Sequence, residues 1–148
     1  MSENTARIKA VCISTKKGQQ KHPVERIHLL PHHGIEGDAH AGDWHRQVSL
    51  LGQESVDRLQ KKIPVPLFPG AFAENVLCEG LTLYALPVGT RLRVGTAVCE
   101  VTQIGKECHA DCAIRQQAGD CVMPREGIFA VVLEEGTAGH GDAVCVIS

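Results

Sequence analysis

The chain is poor in aromatic side chains: its 148 residues include one Trp, one Tyr and three Phe. Charge of one sign is also lacking, since 15 Lys and Arg stand against 17 Asp and Glu for a net charge of −2. The basic residues are scattered rather than striped, which argues against a nucleic-acid partner, because phosphate binding needs a concentrated positive surface. No apolar run approaches the roughly 18 residues that a membrane-spanning helix needs. The opening MSENTARIKA has no apolar stretch of the signal-peptide kind. The expectation is a soluble, cytoplasmic protein without a membrane partner.

Cysteine is plentiful, at seven. In a reducing compartment an odd count argues for free, metal-bound or reactive thiols rather than a disulfide framework. A chain of this length buries a working core without such staples. Residues 1–148 read as one domain, because no repeat, low-complexity tract or linker interrupts them.

Fifteen Gly and seven Pro punctuate the sequence into short segments. Ile8–Ser14, IKAVCIS, reads as a strand of branched side chains. A polar, turn-prone passage follows it, and Gln47–Leu51 reads as a second strand. Gln53–Lys62 is the long helix candidate, with Val56, Leu59 and Ile63 on one face and Pro64 as the stop. Leu92–Val94 and Ala97–Ile104 flank Gly95-Thr96 in the manner of a hairpin. Residues 127–136 and 141–148 read as another strand pair around a Gly-rich turn. PGAFAENV, Pro69–Val76, reads as a turn leading into a strand. Many short strands with one or two inserted helices predict a mainly β fold, a closed or partly open β-barrel with a few short helices rather than a βαβ fold.

HHGIEGDAHAGDWH, His32–His45, is glycine-rich but lacks the Gly-x-x-x-x-Gly-Lys pattern of a nucleotide phosphate loop. Its glycines free the backbone while His40, Asp43, His45 and Arg46 supply polar groups, which suits an anion- or ligand-binding loop. The plain alternative is a surface loop in which Asp38 and Asp43 bond their own backbone. The spacing of His32, His33, His40 and His45 matches no common zinc pattern. Glu74 and Asn75, at the end of PGAFAENV, are suitable groups to fix a polar ligand at a barrel mouth.

Ile104–Pro124, IGKECHADCAIRQQAGDCVMP, gathers Cys108, Cys112 and Cys121 with His109. Together these four would make a Cys₃His zinc site, but structural zinc usually takes two separated cysteine pairs and only one pair occurs here. Zinc is therefore the weaker reading. Lys106, His109 and Arg115 surround Cys108 with positive charge, which favours thiolate and makes the sulfur nucleophilic or able to ligate a soft metal. Cys112 and Cys121 are then candidate resolving thiols. Cys12, Cys78, Cys99 and Cys145 sit in strand-like runs and read as buried apolar residues.

In order along the chain, GIEGDAHAG, HRQVSLL, PGAFAENV, LPVGTRLRVG, VTQIGKEC, GDCVMPREGIFA and a final GD resemble the MOSC domain, named for the C-terminal domain of molybdenum-cofactor sulfurase. The resemblance runs from about Gly34 to the C-terminus and is nearest to small stand-alone bacterial members. It implies a mainly β, barrel-like fold and a part in molybdenum-cofactor handling. It further implies binding of molybdopterin or molybdenum, with Cys108 as sulfur carrier or molybdenum ligand. His40, Arg46, Glu74 and Asn75 would line the pocket, while Lys106 and Arg115 offset ligand and thiolate charge. Pyridoxal phosphate binding, a sulfur donor and a recipient molybdoenzyme belong to the same implication. Whether the chain is an enzyme, a sulfur transferase, stays open. A non-catalytic delivery module and a zinc-stabilised structural domain are the alternatives.

Overall fold

A computed structural model of the chain describes residues 5–17, 19–105 and 123–147. Its strands are β1 (Thr5–Ile13), β2 (His22–Val24), β3 (Arg26–Leu30), β4 (Gly34–Ile35), β5 (Val48–Gly52), β6 (Val76–Glu79), β7 (Arg91–Val94), β8 (Ala97–Ile104), β9 (Ile128–Glu134), β10 (Gly136–Gly139) and β11 (Ala143–Val146). Helix α1 is Gln53–Gln60, and the short helix α2 is Met123–Glu126. The main sheet runs β11-β7-β8-β9-β5-β6-β1-β2, and β11 pairs back onto β1. Seven of these strands thus close into a barrel. A second sheet is ordered β10-β3-β4.

The barrel follows from two-residue alternation. Val48 and Leu50 of β5, Val76 and Cys78 of β6, Leu92 and Val94 of β7, and Ile128, Ala130 and Val132 of β9 share one buried cluster. The small sheet adds Ile27, Leu29, Ile35 and Ala138 to that cluster. Each fully buried Leu, Ile or Val is worth about 1.5–3 kcal/mol. The interior is packed with apolar side chains, so a ligand site has to lie outside it.

Two bulges set up that outside surface. Lys9 has no partner between Ile8 and Ala10 in the β1–β6 register. The inward parity therefore flips: Ala6, Ile8 and then Val11 face the interior, while Ala10 and Cys12 face outward. The second bulge is at Thr102, between Val101 and Gln103 of β8. Outward-facing Cys12, Leu51, Leu77 and Phe129 meet Val56 and Leu59 of α1 and Phe72 of the following loop. Helix α1 forms because Ser55, Val56 and Leu59 share one buried face, and it ends in a turn at Lys61-Lys62 ahead of Pro64. It links β5 to β6, which form a parallel pair, so one βαβ crossover is built into a mainly antiparallel barrel.

Val94 pairs with Ala97 across Gly95-Thr96, as the hairpin reading requires. The strand pair expected for 127–136 and 141–148 takes a different course. Both ranges hold strands, but β9 lies between β8 and β5, whereas β11 lies between β7 and β1. Between them Gly136–Gly139 forms β10 against β3. A Cβ on Gly136 would overlap the backbone of Ala97, so the glycine there serves close strand packing rather than a turn. Among the described residues, no helix is long and apolar enough to cross a membrane.

Candidate functional site

The glycine-rich loop after β4 folds back over the end of β1. Gly34 and Gly37 adopt positive φ, at 109° and 84°, which turns the chain so that Asp38 points inward. Asp38 accepts from the backbone N–H of Ser14 at 3.1 Å and from that of His40 at 3.2 Å. It also pairs with the Lys21 ammonium at 2.8 Å, and both side chains are completely buried. Burying a lone charge costs several kcal/mol, so the Lys21–Asp38 pair persists because further polar groups surround it. Ser14 Oγ lies 3.2 Å and His40 Nδ1 2.9 Å from Lys21 Nζ.

Behind Lys21 stands the PGAFAE turn. The Lys21 N–H donates to the Gly70 carbonyl at 2.9 Å, and Gly70 has a φ of 92°. The N–H groups of Gly70 and Phe72 donate to the Glu74 carboxyl at 2.8 and 3.0 Å. Burial pushes the Glu74 carboxyl above its ordinary value, and these N–H groups, with Lys21, pull it back. Asn75 Oδ1 accepts from the Ser49 N–H at 3.0 Å, and its Nδ2 donates to the Cys12 carbonyl at 3.1 Å. Glu74 and Asn75, expected at a ligand-facing mouth, are therefore fully buried, with polar atoms that tie β1, β5 and the turn together.

The exposed side is formed by Trp44, His45 and Arg46. Trp44 Nε1 donates to the His40 carbonyl at 2.8 Å. The Arg46 guanidinium lies 4.7 Å from the Trp44 ring centre and 5.6 Å from that of Phe129. Its Nε is buried and has no hydrogen-bond partner among the described residues. His45 Nε2 is 2.9 Å from Gln103 Oε1, and Gln103 Nε2 donates to the Gly105 carbonyl at 2.7 Å. Thr102, freed from the ladder by its bulge, bonds the His45 carbonyl through Oγ1 and also the Phe129 carbonyl at 3.2 Å. Bulges commonly re-aim side chains beside functional sites. Gly105 N–H donates to the Gly127 carbonyl at 2.7 Å.

His40 and Arg46 are thus brought onto one loop, held at the end of β8. Lys106, Cys108, His109, Cys112, Arg115 and Cys121 lie outside the described residues; Cys108 follows Gly105 by three positions in the sequence. Cys12, Cys78 and Cys99 are buried as expected, whereas Cys145 is half-buried. Burial pushes the thiols of Cys12, Cys78 and Cys99 up to about 12. Among the described residues, no group of three or more His, Cys, Asp or Glu is placed to hold a metal ion.

Sequence reasoning missed Lys21 and Ser14 and read Asp38 only as a loop residue. No periodicity or motif marks Lys21; its one signal is a lysine directly before a short Pro-containing strand.

A separate cavity of about 240 Å³ lies beside α1, lined in part by Glu54, Ser55, Arg58 and Tyr84. Arg58 there already pairs with Glu126, and the volume falls below the usual small-molecule range of about 300–1,000 Å³.

The sequence matches the family described as the MOSC domain over residues 36–145. Its fold is similar to that of the YuaD protein from Bacillus subtilis, with a TM-score of 0.79 and 20% identity over 96% of this chain and 95% of that one. YiiM from Geobacillus stearothermophilus is similar at a TM-score of 0.73 and 19% identity, over 97% of this chain and 75% of that one. YiiM from Escherichia coli gives 0.67 and 19%, over 96% and 70%. No curated protein matches the sequence.

Proposed function

The chain belongs to the MOSC domain family, which is associated with molybdenum-cofactor-related functions, and from that premise we propose that it binds molybdopterin or its molybdenum form and carries sulfur on Cys108. The observation that carries the reading is the buried Nε of Arg46, which has no acceptor among the described residues. An unmet buried donor costs about 1–3 kcal/mol, and a charged guanidinium meets a phosphate especially well because its donors form a planar fork. The stack on Trp44 and Phe129 pre-orients that fork at the end of β8, a few residues before Cys108 in the sequence.

In this reading Arg46 and His40 meet the ligand, and Lys106 and Arg115 offset the charge of its phosphate and of the Cys108 thiolate. Glu74 and Asn75 act from below by holding the turn that pins Lys21. The Cys108 thiolate attacks the outer sulfur of a persulfide donor, the donor's thiolate leaves, and Cys108 holds the persulfide until Cys112 or Cys121 resolves it or an acceptor takes the sulfur. When molybdenum is bound, the same thiolate would be its protein ligand.

Titration of the purified protein with molybdopterin tests the binding, with loss expected in Arg46→Ala. Intact-protein mass spectrometry after incubation with a persulfide donor tests the carrier role: a gain of one sulfur atom that disappears in Cys108→Ser is expected. Binding without that gain would leave a delivery module, and failure of both would sink the reading.

A further inference from the structure

The Lys21 ammonium has three protons, and three acceptors surround it: Asp38 Oδ1 at 2.8 Å, Ser14 Oγ at 3.2 Å and His40 Nδ1 at 2.9 Å. An ammonium only donates. The lone pair of His40 Nδ1 must therefore point at Lys21, and a neutral imidazole that accepts at Nδ1 carries its proton on Nε2. We infer that Lys21 is a positioning residue that fixes His40 as the neutral Nε2–H tautomer, making it a hydrogen-bond donor toward a phosphate, carboxylate or carbonyl oxygen rather than a metal ligand or a general base.

Metal ligation and proton abstraction both need a lone pair on an imidazole nitrogen. That of Nδ1 is taken by Lys21, and Nε2 holds a proton, so whatever Nε2 meets, in the protein or in a ligand, has to accept. The assignment is held from several directions. The His40 N–H bonds Asp38 Oδ2 at 3.2 Å, the neighbouring Ala39 N–H bonds the Ser14 carbonyl at 2.7 Å, and Trp44 Nε1 holds the His40 carbonyl at 2.8 Å. Lys21 is fixed in turn by its main-chain bond to Gly70 at 2.9 Å. A tautomer flip would set an N–H against the ammonium inside a fully buried ion pair, where no water can take up the displaced donor. The identity of the ligand as molybdopterin rests on the proposed function; the tautomer does not.

Side-chain nitrogen–carbon correlation NMR of the labelled full-length protein at neutral pH reads the tautomer directly. The expected result is a pyridine-type signal for His40 Nδ1 and a pyrrole-type signal for Nε2. Lys21→Arg should keep this pattern, and Lys21→Met combined with Asp38→Asn, which leaves no unpaired buried charge, should lose it to a mixture of tautomers. A protonated Nδ1 in the wild type, or an unmixed Nε2–H signal in the folded double variant, overturns the inference. Molybdopterin titration on the same samples is a separate readout. Failure to bind with the expected tautomer in place counts against the proposed function and leaves Lys21's role standing.

Discussion

The guanidinium of Arg46 lies 4.7 Å from the ring centre of Trp44 while its Nε sits buried without an acceptor among the described residues. The stack is worth about 0.5–1 kcal/mol at a partly exposed position. The unmet donor costs about 1–3 kcal/mol, so the arginine is a net burden on the ligand-free fold. Arg46→Met, which keeps the apolar contact with both rings, should raise the ligand-free stability by roughly 1 kcal/mol and abolish molybdopterin binding. Thermal melts with and without ligand check both halves; a lower Tm for the ligand-free variant would show that the stack outweighs the orphaned donor.

Gly70 and Gly37 separate two costs that a sequence cannot tell apart. Both have positive φ, 92° and 84°. At Gly37 an added Cβ meets nothing within 4 Å, whereas at Gly70 it overlaps the Lys21 carbonyl. Gly37→Ala should cost only the backbone penalty, about 1–2 kcal/mol. Gly70→Ala should cost at least twice as much, because the turn must shift and break the bonds that hold Lys21 and Glu74. Denaturant unfolding of the pair decides it, and equal losses would mean that the turn yields freely.

The strands that line the barrel were legible because their alternation is local: Ala97–Ile104 is found where expected, and Gln47–Leu51 is shifted by one residue. β3 was not, although Arg26–Leu30 alternates exposed and buried, since its polar neighbours and the two-residue β4 beside it dilute the pattern. The candidate loop was legible as glycines with His40 and Arg46 among them. Lys21 was not, because its burial depends on Asp38, which only the folded loop brings to it. Glu74 and Asn75 were picked out as polar groups at a turn, but the groups they satisfy belong to β1, β5 and the turn itself. Where a side chain's partners are distant in sequence, residue type alone does not tell support from contact.

His28 joins β3 to residues on both sides of it. Its Nε2 is 2.6 Å from Glu135 and its Nδ1 3.2 Å from Glu36, so both nitrogens donate and the ring is best satisfied as imidazolium. The hydrogen bond to Glu135 first, then that to Glu36 and the charges of both, raise His28 above its ordinary 6.5 despite opposing desolvation. A folded-state value above the unfolded one gives stability that is complete below 6.5 and is lost as pH rises through the folded value. Unfolding midpoints should therefore fall as pH rises above 6.5, and His28→Gln should flatten that fall. An unchanged slope in the variant would assign it to other groups.

Thiol reactivity separates the cysteines by position. Burial first, and then the Glu74 carboxylate against the opposing Lys21, pushes Cys12 from 9.0 up to about 12; burial drives Cys78 and Cys99 to the same level. Such a rise leaves about a thousandfold less thiolate than an ordinary cysteine has at neutral pH, and the reagent must also reach a sealed barrel wall. Cys145 is half-buried and should react slowly. Under the proposed function Cys108, with Lys106, His109 and Arg115 around it in sequence, should react fastest, because positive charge favours the thiolate that attacks the reagent. Peptide mapping after brief alkylation of the native protein should therefore find Cys108 modified ahead of Cys145, and Cys12, Cys78 and Cys99 untouched until denaturant is added. Native alkylation of Cys12 at the rate of Cys108 would remove the distinction between structural and carrier thiols on which the sulfur-transfer reading stands.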